Sequence, residues 1–156
     1  MTKQNAKLDL NHCYEIGEAC TVFNLRKASR VITQLYEEIM RPSGTLPTQF
    51  TLLAVTRGMG PVTISKMAKV LVMDRTTLTR NLKPLEREGL IIVVCVKDDQ
   101  RSREVSLTSK GLKKLEQALP YWKEAQSKAV KVLGANRHVR MLSDLKAAVA
   151  FTSEIL

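Results

Sequence analysis

No apolar run in this 156-residue chain exceeds seven residues, Leu90 to Val96, against the roughly 20 that a membrane-crossing helix needs. Met1 to Leu10 is mixed polar with no apolar core, so no secretory signal is expected and the cytoplasm is the default compartment. Cysteine is scarce. Cys13, Cys20 and Cys95 are odd in number and have no C-x-x-C spacing, which fits a reducing compartment rather than a disulfide scaffold. There is no phosphate-binding glycine loop, nucleophile elbow or framed carboxylate pair, so no enzyme is expected. His12 sits beside Cys13 while His138 is remote, with no metal-ligand spacing, so no metal or other cofactor is expected. Internal repeats and low-complexity segments are absent. Acidic residues are few as well: 15 against 25 Lys and Arg, leaving +10.

What is present fits one compact domain. Hydrophobic residues at 44% and charged residues at 26% are close to the globular average and exclude extensive disorder. The charge is uneven: residues 61–110 hold ten basic and six acidic side chains. A basic surface suits nucleic acid or anionic lipid, although a soluble protein can also simply be basic.

Helical periodicity runs from Asn11, read as an N-cap, to about Met40, through Cys13, Ile16, Cys20 and Phe23 and then Ala28, Val31, Leu35 and Ile39. Pro47 opens a second helix to about Thr56, with Phe50, Leu53 and Ala54 inward. Two short helices follow. Thr63 caps one that buries Ile64, Met67, Ala68 and Leu71. Asp74 caps the next, which buries Leu78, Leu82 and Leu85 and stops at Gly89. The spacing is that of a helix-turn-helix. The β-branched run Leu90–Val96, the charged tip Lys97–Arg103 and a strand from Glu104 to Leu107 read as a hairpin wing. Leu112, Leu115, Leu119, Trp122, Ala129 and Leu133 then form a coiled-coil-like seam, and a last helix follows Gly134. The fold class is mainly α with a small β-wing. Residues 47–111 form the winged helix-turn-helix, and residues 11–45 and 112–156 are helices whose apolar stripes call for a second copy of the chain, a homodimer.

The outward face of the Asp74–Glu88 helix is the informative place. It shows Thr76, Arg80, Lys83 and Arg87, flanked by Arg75, Thr77 and Thr79. Arg forks onto guanine in a major groove, and Thr meets a thymine methyl or a phosphate. The free amides of the helix N-terminus also suit a phosphate. An ordinary solvated helix face would look the same in isolation; the neighbouring helix and wing favour DNA. Pro84 should bend this helix. On the wing, Arg101 and Arg103 suit a narrow minor groove, and Asp99 holds either a guanidinium or the loop. Taken alone, the wing also reads as a solvated turn. Cys95 reads as core.

Leu85-Glu86-Arg87-Glu88-Gly89-Leu90-Ile91, then Asp99-Gln100-Arg101, then Val105-Ser106-Leu107-Thr108-Ser109-Lys110-Gly111 resemble the signature of the MarR family of bacterial transcriptional regulators. The resemblance implies a single MarR-like domain over 1–156. It also implies a homodimer on a pseudo-palindromic double-stranded operator, usually a repressor released by a small ligand or by oxidation. It makes Arg75 to Lys83 the recognition segment and Arg101 the minor-groove arginine positioned by Asp99. Ile92-Val93-Val94 departs from the family, many members of which carry a basic residue there, so that either a phosphate contact common in the family is missing or Lys97 replaces it. Some relatives sense organic hydroperoxides through a cysteine near the start of the first helix, which makes Cys13 and Cys20 candidate redox sensors with Tyr14 and Tyr36 as hydroxyl partners. Seven residues apart on one helix, roughly 10 Å, the two thiols cannot bridge within an intact chain, though they can between subunits. Both also fall on the apolar stripe, where an inert buried thiol is the usual occupant. An aromatic or amphipathic effector is expected where the dimer helices meet the winged domain, with Phe23, Arg26, Arg30 and Tyr36 as candidate lining groups. Two other classes remain beside the regulator: a winged-helix protein-interaction module without specific operator binding, and a thiol peroxidase, which would require turnover.

Overall fold

The computed structural model describes residues 9–96 and 99–155. It falls into two compact units, residues 1–35 and 36–156.

The first unit holds α1 (Leu10–Ala19) and most of α2 (Thr21–Met40). Asp9, rather than Asn11, caps α1, its carboxylate accepting from the His12 amide at 2.9 Å. The single helix expected from periodicity is broken at Cys20, whose backbone is extended. Asn24 explains the break. Its side-chain amide reaches back to the carbonyls of Gly17, Glu18 and Cys20 at 3.1–3.3 Å, satisfying the acceptors that α1 leaves open at its end. Cys13 and Cys20 therefore do not share one unbroken helix.

In the second unit, a 3-10 turn (Arg41–Ser43) leads to α3 (Pro47–Met59), the two-residue strand β1 (Val62–Thr63), α4 (Ile64–Val70) and α5 (Arg75–Arg87). Strands β2 (Ile91–Val96) and β3 (Asp99–Leu107) follow, then α6 (Ser109–Leu133) and α7 (Ala135–Ile155). The sheet is antiparallel, in the order β1-β3-β2. β3 begins at Asp99, five residues earlier than expected, so Asp99 and Arg103 of the charged wing tip pair with β2. β1 is the element that periodicity does not reveal, being too short to alternate.

One core joins α3, α4, α5 and the sheet through Leu53, Met67, Leu78, Leu82, Leu85, Ile91 and Val105. A second gathers Met40, Phe50 and Ala118, where Phe50 stacks on Trp122 with ring centroids 5.7 Å apart. On α6 the buried positions are Gly111, Ala118, Ala125 and Ala129. Leu119, expected on the seam, is 38% exposed. Of the expected seam, Leu115 and Trp122 pack against the cores and Ala129 is buried. Tyr36 donates to Gln126 Oε1 at 2.5 Å, and Gln126 Nε2 lies 3.1 Å from His138 Nε2, a polar chain between α2, α6 and α7. Among the described residues, no helix is long and apolar enough to cross a membrane.

Candidate nucleic-acid interface

The helix-turn-helix is built by local chemistry. Thr63 caps α4 by accepting from the Lys66 amide at 3.3 Å, and Asp74 caps α5 by accepting from the Thr77 amide at 2.8 Å. Val72, between the two helices, is the one described non-glycine residue at positive φ, +50°. At its other end α5 runs through Pro84 to Arg87, then closes with Leu90 N–H bonded to the Leu85 carbonyl at 2.9 Å and Gly89 at φ +69°. That is the left-handed exit that glycine permits. Leu78, Leu82 and Leu85 are essentially inaccessible. Each would cost about 2–5 kcal/mol to truncate, so they set the helix in one rotation about its axis.

That rotation turns Arg75, Thr76, Thr79, Arg80 and Lys83 onto one open depression of about 490 Å³. Thr77 is not part of it. It is half-buried, and its amide and hydroxyl both serve the Asp74 carboxylate, holding that carboxyl below its ordinary pKa. The same bond takes up one of the amides at the start of α5, that of Thr77. Among the described residues the one ion pair is Asp9 with His12, so no carboxylate neutralises the cations of this face.

The wing carries a second group. Asp99 Oδ1 accepts from the Arg101 amide at 3.0 Å and Oδ2 from the Ser102 hydroxyl at 2.6 Å. Of the two roles open to Asp99, the loop is therefore the one it serves. These bonds, Ser102 first, hold its carboxyl below the usual pKa. Arg101 is exposed, and no described hydrogen bond or ion pair engages its guanidinium. Arg103 lies across the ladder from Cys95, its guanidinium against the thiol. Cys95 is thus exposed, not core. A register shift follows, between Cys95 and Val96, an irregularity that an apolar run does not announce. Lys97 lies outside the described residues.

Of the remaining candidates, Cys13 is exposed, Cys20 half-exposed, and neither is bonded. Arg26 and Arg30 share a shallow groove with Leu25 and Ser29; Phe23 instead lies under Lys27 Nζ, 5.3 Å from its ring centre. Tyr36 is engaged by Gln126, and burial raises its pKa. Among the described residues, no three His, Cys, Asp or Glu side chains cluster as metal ligands would.

The structure resembles that of the M. tuberculosis transcriptional regulator MosR in complex with DNA, at 37% identity and a TM-score of 0.73, covering 84% of this chain and 97% of that one. Residues 47–103 match the model of the MarR family. The chain belongs to the MarR family. A MarR variant from E. coli in complex with operator DNA shares the fold, at 24% identity and a TM-score of 0.75, covering 90% of this chain and 99% of that one. Among curated relatives, the organic hydroperoxide resistance transcriptional regulator of Bacillus subtilis (strain 168) is 33% identical over 89 residues. That alignment spans 57% of this chain and 60% of the relative's length. This MarR-family chain has the winged-helix fold of transcriptional regulators, and the basic face of α5 and the arginines of β3 lie on its helix-turn-helix and its wing.

Proposed function

We propose that this MarR-family regulator acts in the cytoplasm, without catalysis, as a homodimeric repressor of a pseudo-palindromic double-stranded operator. α5 enters the major groove, where Arg75, Thr76, Thr79, Arg80 and Lys83 meet bases and phosphates. Arg101 and Arg103 on β3 enter the minor groove, and Lys97 bonds a phosphate. Asp99 and Thr77 act as positioning residues. The observation that carries this reading is the convergence of three cationic and two threonine side chains on one surface that no carboxylate pairs among the described residues.

The second copy is argued from apolar exposure. Val139, Leu142, Leu145, Val149 and Phe151 of α7 are 39–65% exposed, and α1 and α2 expose Leu10, Tyr14, Ile16, Val22 and Val31. Such faces belong at an interface. Residues 11–45 and 112–156 thus serve dimerisation and 47–111 reads DNA.

Release follows a small aromatic or amphipathic effector or a peroxide. Cys13 and Cys20 are reachable thiols, and a relative is named for organic hydroperoxide resistance. The step is attack of a thiolate on the peroxide O–O bond, giving Cys–SOH and the alcohol.

Selection of bound duplexes from a random library at physiological salt, with reductant present, tests the reading. A two-fold-symmetric motif with half-sites about 10 base pairs apart is expected. Recovery of unrelated sequences overturns it. Loss of the selected complex on adding cumene hydroperoxide, reversed by dithiothreitol, tests the thiol arm.

A further inference from the structure

The recognition helix carries three threonines within four residues, and their hydroxyls have three different fates. Thr77 turns inward and serves Asp74. Thr76 is exposed on the reading face, and no described hydrogen bond engages its hydroxyl. Thr79 is also exposed on that face, but its Oγ1 donates at 2.7 Å to the carbonyl of Arg75, one turn back. A hydroxyl has one proton, so this bond consumes Thr79's capacity to donate. It also fixes the χ1 of a β-branched side chain. What Thr79 still offers is a γ-methyl and an acceptor lone pair.

Thr79 shares the depression with Arg75, Thr76, Arg80 and Lys83. All four have protons to give, and guanine O6 and N7, thymine O4 and phosphate oxygens are their natural partners. A methyl group among them has a different complement. In the major groove the one apolar group that a base presents is the 5-methyl of thymine. We propose that Thr79 is a specificity-determining residue that packs its γ-methyl on the 5-methyl of one thymine in each half-site. The intrahelical bond to Arg75 makes this contact selective, because it withdraws the proton that would otherwise let the side chain bond any nearby acceptor. The proposal rests on the operator-binding reading above and adds a base assignment to it.

The test uses the full-length protein and the duplex it selects. Half-site thymines are replaced one at a time by deoxyuridine, which removes the methyl and keeps the base pair. At one position per half-site, wild-type affinity should fall about four-fold, the worth of one buried methyl-sized group. Replacement in both half-sites should give about 16-fold. Thr79→Ser keeps the hydroxyl bond and loses the methyl. It should bind the thymine duplex more weakly by a similar factor and be indifferent to deoxyuridine at that position. Thr79→Val keeps the methyl and should keep the discrimination.

If wild type ignores deoxyuridine at every position, or Thr79→Ser retains the wild-type discrimination, the assignment is overturned while the selected operator leaves the regulator reading standing. A response confined to removal of an adenine or cytosine amino group would assign the lone pair instead and overturn the methyl contact. Failure to select any duplex overturns both.

Discussion

Gly111 sets its bare α-carbon against the carbonyl of Leu90, so close that a side-chain methyl there would overlap the oxygen and lie 2.8 Å from Leu107 Cδ1. Thr108 completes the joint. Its hydroxyl accepts from the Gly111 amide at 2.9 Å and lies 2.8 Å from the Gly89 carbonyl and 3.1 Å from that of Leu90. Lys110 Nζ donates to the Glu88 carbonyl at 2.7 Å, at the end of α5. The Leu-Thr-x-x-Gly run is therefore a clamp that fastens the start of α6 to the end of the recognition helix and the start of the wing. Its residues hold α5 and β2, the elements on which the proposed DNA-reading face depends.

Gly111→Ala should destabilise the chain by about 1–3 kcal/mol or more, because backbone rather than a flexible side chain must give way. Thr108→Ala should cost about 1 kcal/mol as a lost cap. Urea denaturation checks both; a Gly111→Ala midpoint equal to wild type would mean that the clamp yields freely.

Arg101→Ala removes a guanidinium but not the amide that bonds Asp99, so the loop keeps its tie. Operator affinity should fall about tenfold or more, the scale of a lost charge-assisted hydrogen bond. The base preference set by α5 should persist. Competition binding against single-base operator variants separates the two effects, and unchanged affinity would remove Arg101 from the interface.

Much of the winged helix was legible because its boundaries are written in local chemistry. Asp74 and Gly89 delimit α5, while Leu78, Leu82 and Leu85 fix its inward face and hence its outward one. The misreadings have physical reasons too. The break at Cys20 has no proline or glycine to mark it and depends on Asn24 reaching backward. Cys95 keeps the regular register of Ile91 and Val93 and is nonetheless exposed, toward the tip of the hairpin where the core has ended. Thr77 resembles Thr76 and Thr79 in the sequence, and only the direction of the Asp74 carboxylate separates it from them. On α6, alanines occupy the buried line while Leu119 lies outside it.

The wing's response to acid follows from Asp99. Its pKa is lowered in the folded chain, so the ordering its carboxylate provides is fully present above the ordinary value near pH 4 and is lost as pH falls through the lowered one. Between pH 5 and 8 the Arg101 and Ser102 amide resonances should not move with Asp99. They should shift only in more acid solution, and Asp99→Ala should show the loosened wing already at neutral pH. Movement of these resonances with an Asp99-dependent midpoint near neutrality would contradict the assignment.

The thiols should differ in reach. Cys13 and Cys95 are exposed and Cys20 is half-exposed, so alkylation of the reduced chain should label the first two faster than the third. Formation of the dimer should slow Cys13 alone if α1 lies at the interface, while DNA should protect Cys95 beside Arg103. Peptide mapping after timed labelling reads each site, and protection of Cys95 by dimerisation without DNA would move the interface to the wing.

The central claim is that the basic face of α5 reads base sequence rather than charge alone. Its most direct measurement is the affinity of wild type and Arg80→Ala for the selected operator and for a scrambled duplex of equal composition, at physiological salt. Wild type should prefer the operator by about 10³-fold or more. Arg80→Ala should lose about 1–3 kcal/mol on the operator and far less on the scrambled duplex. Equal affinity of wild type for both duplexes, or an equal loss on both in the variant, would contradict it.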